Sequence, residues 1–192
     1  MKRAMLMIVA TAVVLAISVP ADATIIEVPL DCAGGYSLSD TWTGAFDAGV
    51  SFTEVAAVYI AWSGEMEGAE TMNAGVIDTQ FVASLYESQP EDYFGRAYTQ
   101  GGADTYPNPW QFEVVTPFSD GSWNAVLDGK ANIHLWYGET THVLGDPILS
   151  TPTGTIFSAS LLIDGTPVPE PTTLFFLVMG IVWFAKGGAS RR

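Results

Sequence analysis

The middle of this chain predicts an all-β fold, an antiparallel β-sandwich of jelly-roll type. An N-terminal signal helix and a short C-terminal transmembrane helix are expected to flank it. Three observations carry the prediction. Apolar and aromatic residues come in short runs with a period of two. Gly, Asp, Ser and Pro clusters punctuate those runs at close spacing. No amphipathic stripe of period 3.6 appears between residues 24 and 167. Internal repeats are also absent, which argues against a propeller or a β-helix.

The strands follow in order. Thr24–Pro29, Val55–Trp62, Gln80–Glu87, Gln111–Pro117, Ala131–Tyr137 and Gly154–Asp164 read as strands. In Gln80–Glu87, Phe81, Ala83 and Leu85 share one face and Val82, Ser84 and Tyr86 the other. In Ala131–Tyr137, Ile133, Leu135 and Tyr137 share a face. Along Gly154–Asp164 an unbroken alternation sets Ile156, Ser158, Ser160 and Leu162 against Phe157, Ala159, Leu161 and Ile163. Cys32–Gly35, Ser63–Gly75, Gln100–Asp104, Ser119–Gly121 and Asp128–Gly129 have turn or loop composition.

The two ends of the chain read as delivery segments. Lys2 and Arg3 precede an apolar run, Ala4 to Val19, interrupted only by Thr11 and Ser18. Pro20 then leads into Ala21-Asp22-Ala23, a small-x-small cleavage pattern. Residues 1–23 are therefore a secretory signal peptide, with Thr24 as the first residue after cleavage by signal peptidase. Near the other end, Leu174 to Ala185 is uncharged and apolar. With Thr172 and Thr173 the run makes about 21 Å of helix, short for a hydrocarbon core of about 30 Å. Lys186, Arg191 and Arg192 follow, and by the positive-inside rule they hold that end in the cytoplasm. Both ends agree on one topology, with residues 24–167 outside. Ahead of the span lies Val168-Pro169-Glu170-Pro171. Its alternate prolines keep it extended and accessible.

Val-Pro-Glu-Pro, a short apolar span and a basic terminus together resemble the PEP-CTERM sorting signal, the substrate tail of exosortases in Gram-negative bacteria. The resemblance covers 168–192: the motif at Val168, Pro169, Glu170 and Pro171, the transmembrane segment 172–185, and the basic tail 186–192. It implies that exosortase recognises the tail transiently, cuts near the motif, and releases or transfers the protein to the cell surface or extracellular space. It also implies an association with bacteria that make exopolysaccharide and live in biofilms.

Charge narrows the partners of the domain. Residues 24–167 hold 19 of the 21 acidic residues against Arg96 and Lys130, a net charge of −17. Such a surface repels phosphate backbones, which excludes nucleic acid as an expected partner. A search for chemistry finds little. His134 and His142 lack the convergent partners a zinc site needs. No Gly-x-Ser-x-Gly and no Asp-x-Asp-x-Asp-Gly loop is present. Carboxylate pairs carry no information in so acidic a chain. The single Cys32 cannot form an internal disulfide, and Asp31 beside it does not suit lipidation. A buried, inert thiol is the expectation.

Neither a cofactor nor a catalytic residue is expected, and the domain reads as a structural or interaction module. The alternative is a carbohydrate-binding module working on exopolysaccharide. The tryptophans Trp42, Trp62, Trp110, Trp123 and Trp136 bear on that choice, since sugar rings stack on exposed aromatics. Trp110, in Tyr106-Pro107-Asn108-Pro109-Trp110, is the sequence's candidate for glycan contact. A row of exposed Trp and Tyr across one sheet favours the binding module. Convergent carboxylates about 5–9.5 Å apart in a cleft favour a hydrolase.

Overall fold

A computed structural model describes residues 23–70, 76–77, 79–99, 109–119, 121–139, 152–169 and 179. The expected signal helix and transmembrane helix lie outside the described residues, save for Ala23 and Met179. Among the described residues no helix is long and apolar enough to cross a membrane. The chain divides into two units, residues 23–166 and a second made of 1–22 with 167–192.

The first unit is built from antiparallel strands: β1 (Thr24–Pro29), β2 (Gly34–Ser37), β3 (Thr41–Asp47), β4 (Phe52–Met66), β5 (Ala69–Glu70), β6 (Val76–Ile77), β7 (Thr79–Tyr86), β8 (Tyr93–Tyr98), β9 (Trp110–Pro117), β10 (Lys130–Glu139) and β11 (Thr153–Pro167). A 3-10 turn spans Trp123–Val126. One sheet has the order β1-β11-β4-β9, with β2 also on β11. The other has the order β3-β10-β7-β8, and β5 with β6 forms a small ribbon. Counting β1 and β2 as one interrupted edge strand, eight strands are shared four and four between two sheets. The chain changes sheet at every step except β7 to β8, and this is the wiring of a jelly roll.

Alternation explains which side of each strand is buried. On β4, Val58, Ile60, Trp62 and Met66 point inward, and on β10 Ile133, Leu135 and Tyr137 do so. Phe81 of β7 sits where the two sheets meet. Its ring is fully buried, edge-on to Tyr36 of β2 at 5.4 Å, tilted against Phe112 of β9 at 6.1 Å and against Tyr137 at 4.7 Å. These are favourable ring-pair geometries, and they tie three strands of the two sheets to β7. At the β8–β9 edge the sheets are joined by backbone bonds as well, Arg96 N–H to Ser119 O at 3.3 Å and Ser119 N–H to Arg96 O at 2.7 Å. The 3-10 turn packs against β4 and β10 with Val126 fully buried.

Four readings of the sequence change. The segment Cys32–Gly35 is not all loop, because Gly34 and Gly35 open β2 against Ile156 and Thr155. Ser63–Gly75 is not all connector, because β4 continues to Met66 and pairs with β9 as far as Trp110. The strands β3 and β8 were also hidden in the sequence by their Gly, Thr and charged content. The fourth change is in β11. Its alternation slips at Phe157 and Ser158, which are both exposed. As a result Gly154 and Ile156 before the slip and Ala159, Leu161 and Ile163 after it all face the core. The partner edge shows why: Pro29 pairs with Ser160 and Gly34 with Ile156, so four residues oppose three. This is a β-bulge, and one extra residue resets the faces.

Cys32 lies in that bulge. It is 2% exposed, and Tyr36 Oη donates to its carbonyl at 2.7 Å. Burial pushes its thiol up to about 11, and the nearby Asp31 carboxylate adds to the shift. A thiol held protonated and covered is a poor nucleophile.

Two outcomes follow from this packing. Phe81→Ala should cost about 3–5 kcal/mol in urea unfolding, because it empties the contact between the sheets. Native protein at pH 8 should leave Cys32 unlabelled by a maleimide over the time in which urea-unfolded protein is labelled completely.

Candidate functional site

The inward residues of the second sheet dictate what its outer side carries. With Ile133, Leu135 and Tyr137 turned in, β10 must turn out Asn132, His134, Trp136 and Gly138. With Phe81, Ala83 and Leu85 turned in, β7 turns out Val82, Ser84 and Tyr86. The register then lines these up across strands. Trp136 pairs with Val82, and Val82 with Tyr98. His134 pairs with Ser84, and Ser84 with Arg96. Asn132 pairs with Tyr86, and Tyr86 with Tyr93. On the far side β3 places Thr41, Thr43 and Ala45 opposite Trp136, His134 and Asn132. Strands lie about 4.8 Å apart, so residues two strands away, such as Trp136 and Tyr98, are about 10 Å apart along the row.

The outer face therefore carries four aromatic rings. Tyr93 and Tyr98 are 43% and 42% exposed. Trp136 is half-buried and Tyr86 buried. The Trp136 indole lies across Gly138, where any added Cβ would run into the ring. One ring face thus rests on the strand and the other is turned away from it. Between the rings is a depression of about 270 Å³ lined by Val82, Ser84, Arg96, Tyr98, His134 and Trp136.

Its polar groups have defined states. Arg96 places its guanidinium carbon 3.7 Å from the centre of the Tyr93 ring, a cation–π contact. Among the described residues Arg96 has no ion pair. Its Nε is buried without a hydrogen-bond partner, the only such side-chain atom among them. His134 is held below its ordinary value of 6.5, first by burial and then by the Arg96 charge, while Glu91 pulls the other way. At neutral pH it is an uncharged donor and acceptor. Asn132 Nδ2 donates to the Glu87 carbonyl at 2.7 Å, which fixes that amide at the end of the face.

The other tryptophans among the described residues belong to the interior. Trp62 is buried, and Trp42, Trp110 and Trp123 pack on the core. Trp110 stacks on Phe112 at 5.8 Å with 27° between the rings. The loop before it suggests an exposed ring, but Trp110 is the first residue of β9 and falls in phase with inward Phe112. The ring on an outer face is instead Trp136. The signal that identifies it is its position: in Ile133-His134-Leu135-Trp136-Tyr137 it alternates with three core residues.

A larger depression of about 780 Å³ lies at the end of the same sheet. Its charged pair Lys130–Asp47 is satisfied internally at 3.0 Å, and its single ring is the buried Phe46. Among the described residues no group of three or more His, Cys, Asp or Glu side chains is placed to hold a metal ion.

The residues expected to serve delivery are only partly described. Ala23 and Thr24 are exposed, and Thr24 opens β1 opposite Gly165 of β11. Val168 is 44% exposed and Pro169 is exposed. The chain thus enters and leaves the sandwich at neighbouring points of one edge. Ala21, Glu170, Pro171, His142, Lys186, Arg191 and Arg192 lie outside the described residues.

A titration tests the electrostatics of the face. Followed by NMR, the His134 imidazole should have a midpoint below 6.5. Arg96→Gln should raise that midpoint, and Glu91→Gln should lower it further. The unfolded chain binds this proton more tightly than the folded one. This group therefore makes stability fall as pH drops through 6.5.

No protein-family model matches the chain, and no curated protein matches it. A solved structure of infectious bursal disease virus, Gt strain, is similar over 76% of this chain and 33% of that one, at 9% identity with a TM-score of 0.32. The chain spans about a third of that protein's length, and so loose a likeness bears on neither its fold nor its function.

Proposed function

We propose that this is an exported protein of the cell surface or extracellular matrix, sorted by an exosortase through Val168-Pro169-Glu170-Pro171, whose β-sandwich binds polysaccharide on the outer face of β3-β10-β7-β8. The observation that carries the binding reading is the row of rings on that face, with Trp136 laid along the strand over Gly138 and Tyr98 and Tyr93 standing exposed beyond it. A pyranose has apolar C–H faces and a rim of hydroxyls. Such a ligand suits a surface of flat aromatics bordered by short hydrogen-bonding groups, here Thr41, Thr43, Ser84, Asn132 and neutral His134. An interaction surface for a protein would be expected to be broader and more apolar at its centre.

The delivery reading rests on the tail. The exposed Val168 and Pro169 follow β11 directly, as a processing enzyme would require. The end of β11 beside the start of β1 suits a protein tethered at one edge. In this reading the domain is a binding module without catalysis. The membrane segment holds it in the inner membrane, with the domain outside, until the tail is processed.

Glycan-array screening of the purified chain should detect binding that Trp136→Ala or Tyr98→Ala weakens about tenfold or more, since each removes a stacked ring worth on the order of 2 kcal/mol of buried apolar area. Gly138→Val should act likewise, by lifting the indole. Trp110→Ala should lower stability and leave binding in place. Array silence for the wild-type chain would count against the module. For the tail, replacing Pro169-Glu170-Pro171 by three alanines should leave unprocessed protein in the inner membrane. Normal processing of that variant would defeat the sorting reading.

A further inference from the structure

We infer that the ligand of this face is an acidic polysaccharide, one whose sugars carry carboxylates, and that Arg96 is the residue that recognises them. The inference rests on the glycan-binding reading of the same face and adds the chemical class of the sugar.

Arg96 is the only arginine between residues 24 and 167, a stretch that holds 19 carboxylates. In so acidic a domain, an arginine serving stability alone would be expected to take one of them as a partner. Arg96 takes none among the described residues. The other cation of the domain, Lys130, does pair, with Asp47 at 3.0 Å. Arg96 instead stands on the outer side of β8, in register with Ser84 and His134, and it lines the depression beneath Trp136 and Tyr98. The Tyr93 ring braces the guanidinium at 3.7 Å. Stacking fixes the plane of the fork while leaving its edge free, and the edge is what donates to an anion. The buried Nε has no acceptor of its own. A buried donor left unpaired costs free energy, so internal hydrogen bonding at Nε is not what holds Arg96 on this face.

Neutral sugars do not need such a group, because Ser84, Asn132 and His134 already offer donors and acceptors for hydroxyls. A carboxylate does need it, because the surrounding field is strongly negative. The net charge of −17 disfavours an acidic chain lying anywhere else on the domain. Arg96, the one cation of residues 24–167 without an ion pair among the described residues, thus sets where on the surface, and in which position along the rings, such a chain can sit. Specificity follows from repulsion elsewhere as much as from attraction at Arg96.

The test uses the full chain in detergent and a panel of uronic-acid oligosaccharides (galacturonate, glucuronate and mannuronate oligomers), each beside its carboxyl-reduced neutral counterpart, with binding measured by calorimetry. At least one acidic oligomer should bind about tenfold or more tightly than its reduced form, as expected for charge-assisted bonds. Arg96→Gln should erase that difference while keeping weak binding through the rings. Arg96→Lys should recover part of it, because it keeps the charge and loses the fork. Thermal melts of both variants separate a loss of binding from a loss of fold. Equal binding of acidic and reduced oligomers, unchanged in Arg96→Gln, would overturn the inference and leave the glycan-binding reading standing. No binding of either kind would overturn both.

Discussion

The packing of Phe81 between Tyr36, Phe112 and Tyr137 is the constraint from which the rest of the sandwich follows. From β7, one ring touches the neighbouring strand β10 of its own sheet and two strands of the opposite sheet. A strand has a period of two, so fixing Phe81 inward fixes Ala83 and Leu85 inward and sends Val82, Ser84 and Tyr86 out. Register passes this choice on to β10 and β8. A slip of one residue would bury Trp136 and Arg96 and expose Ile133 and Leu135. The core and the outer face are thus one decision made at β7, and the composition of the face is enforced by the hydrophobic burial on its reverse.

The polar side of the core supports the same ring. Thr99 Oγ1 accepts from the Phe81 N–H at 2.9 Å, where β7 and β8 part. Tyr137 Oη lies 2.9 Å from Thr79 Oγ1 and 3.1 Å from the Glu67 carbonyl. A buried tyrosine that keeps a partner for its hydroxyl brings ring area into the core without an orphaned polar atom. Against that background the unpartnered Nε of Arg96 stands out. Among the described residues the buried side-chain polar atoms of the interior have partners, and the outer face leaves one strong donor without an acceptor.

Much of this was legible in the sequence, and the failures have physical reasons. Strands β4, β7, β9, β10 and β11 announce themselves by runs of large apolar residues, because each has an inward face to fill. Strands β3 and β8 do not, because their inward positions include Gly44, Gly95 and Ala97, where a bulky neighbour such as Trp42 or Trp123 supplies the volume. Loop composition at Cys32–Gly35 concealed β2, because its two glycines are exposed and only Tyr36 of that strand is buried. The slip in β11 could not be read from that strand alone, since a bulge depends on the residue count of its partner edge. Trp110 misled because proline-rich context speaks to the loop before it and says nothing of the phase of β9. Trp136, which the alternation of its neighbours already placed on the outer side, was the more informative tryptophan.

The arrangement of the ends bears on how the proposed parts work together. Thr24 and Gly165 face one another on β1 and β11, in the first sheet. The ring face belongs to the outer side of the second sheet. Within the sandwich, the points where the chain enters and leaves are therefore separated from the ring face by the thickness of both sheets, about 10 Å between their mean planes. Under the proposal, a tether through the C-terminal end would start from the sheet opposite the ring face. The strong negative charge then acts in the same direction, keeping neighbouring domains apart by mutual repulsion. Under the proposal, a matrix chain reaching Arg96 is the one acidic partner the surface admits, and many tethered copies would gather along it without adhering to one another.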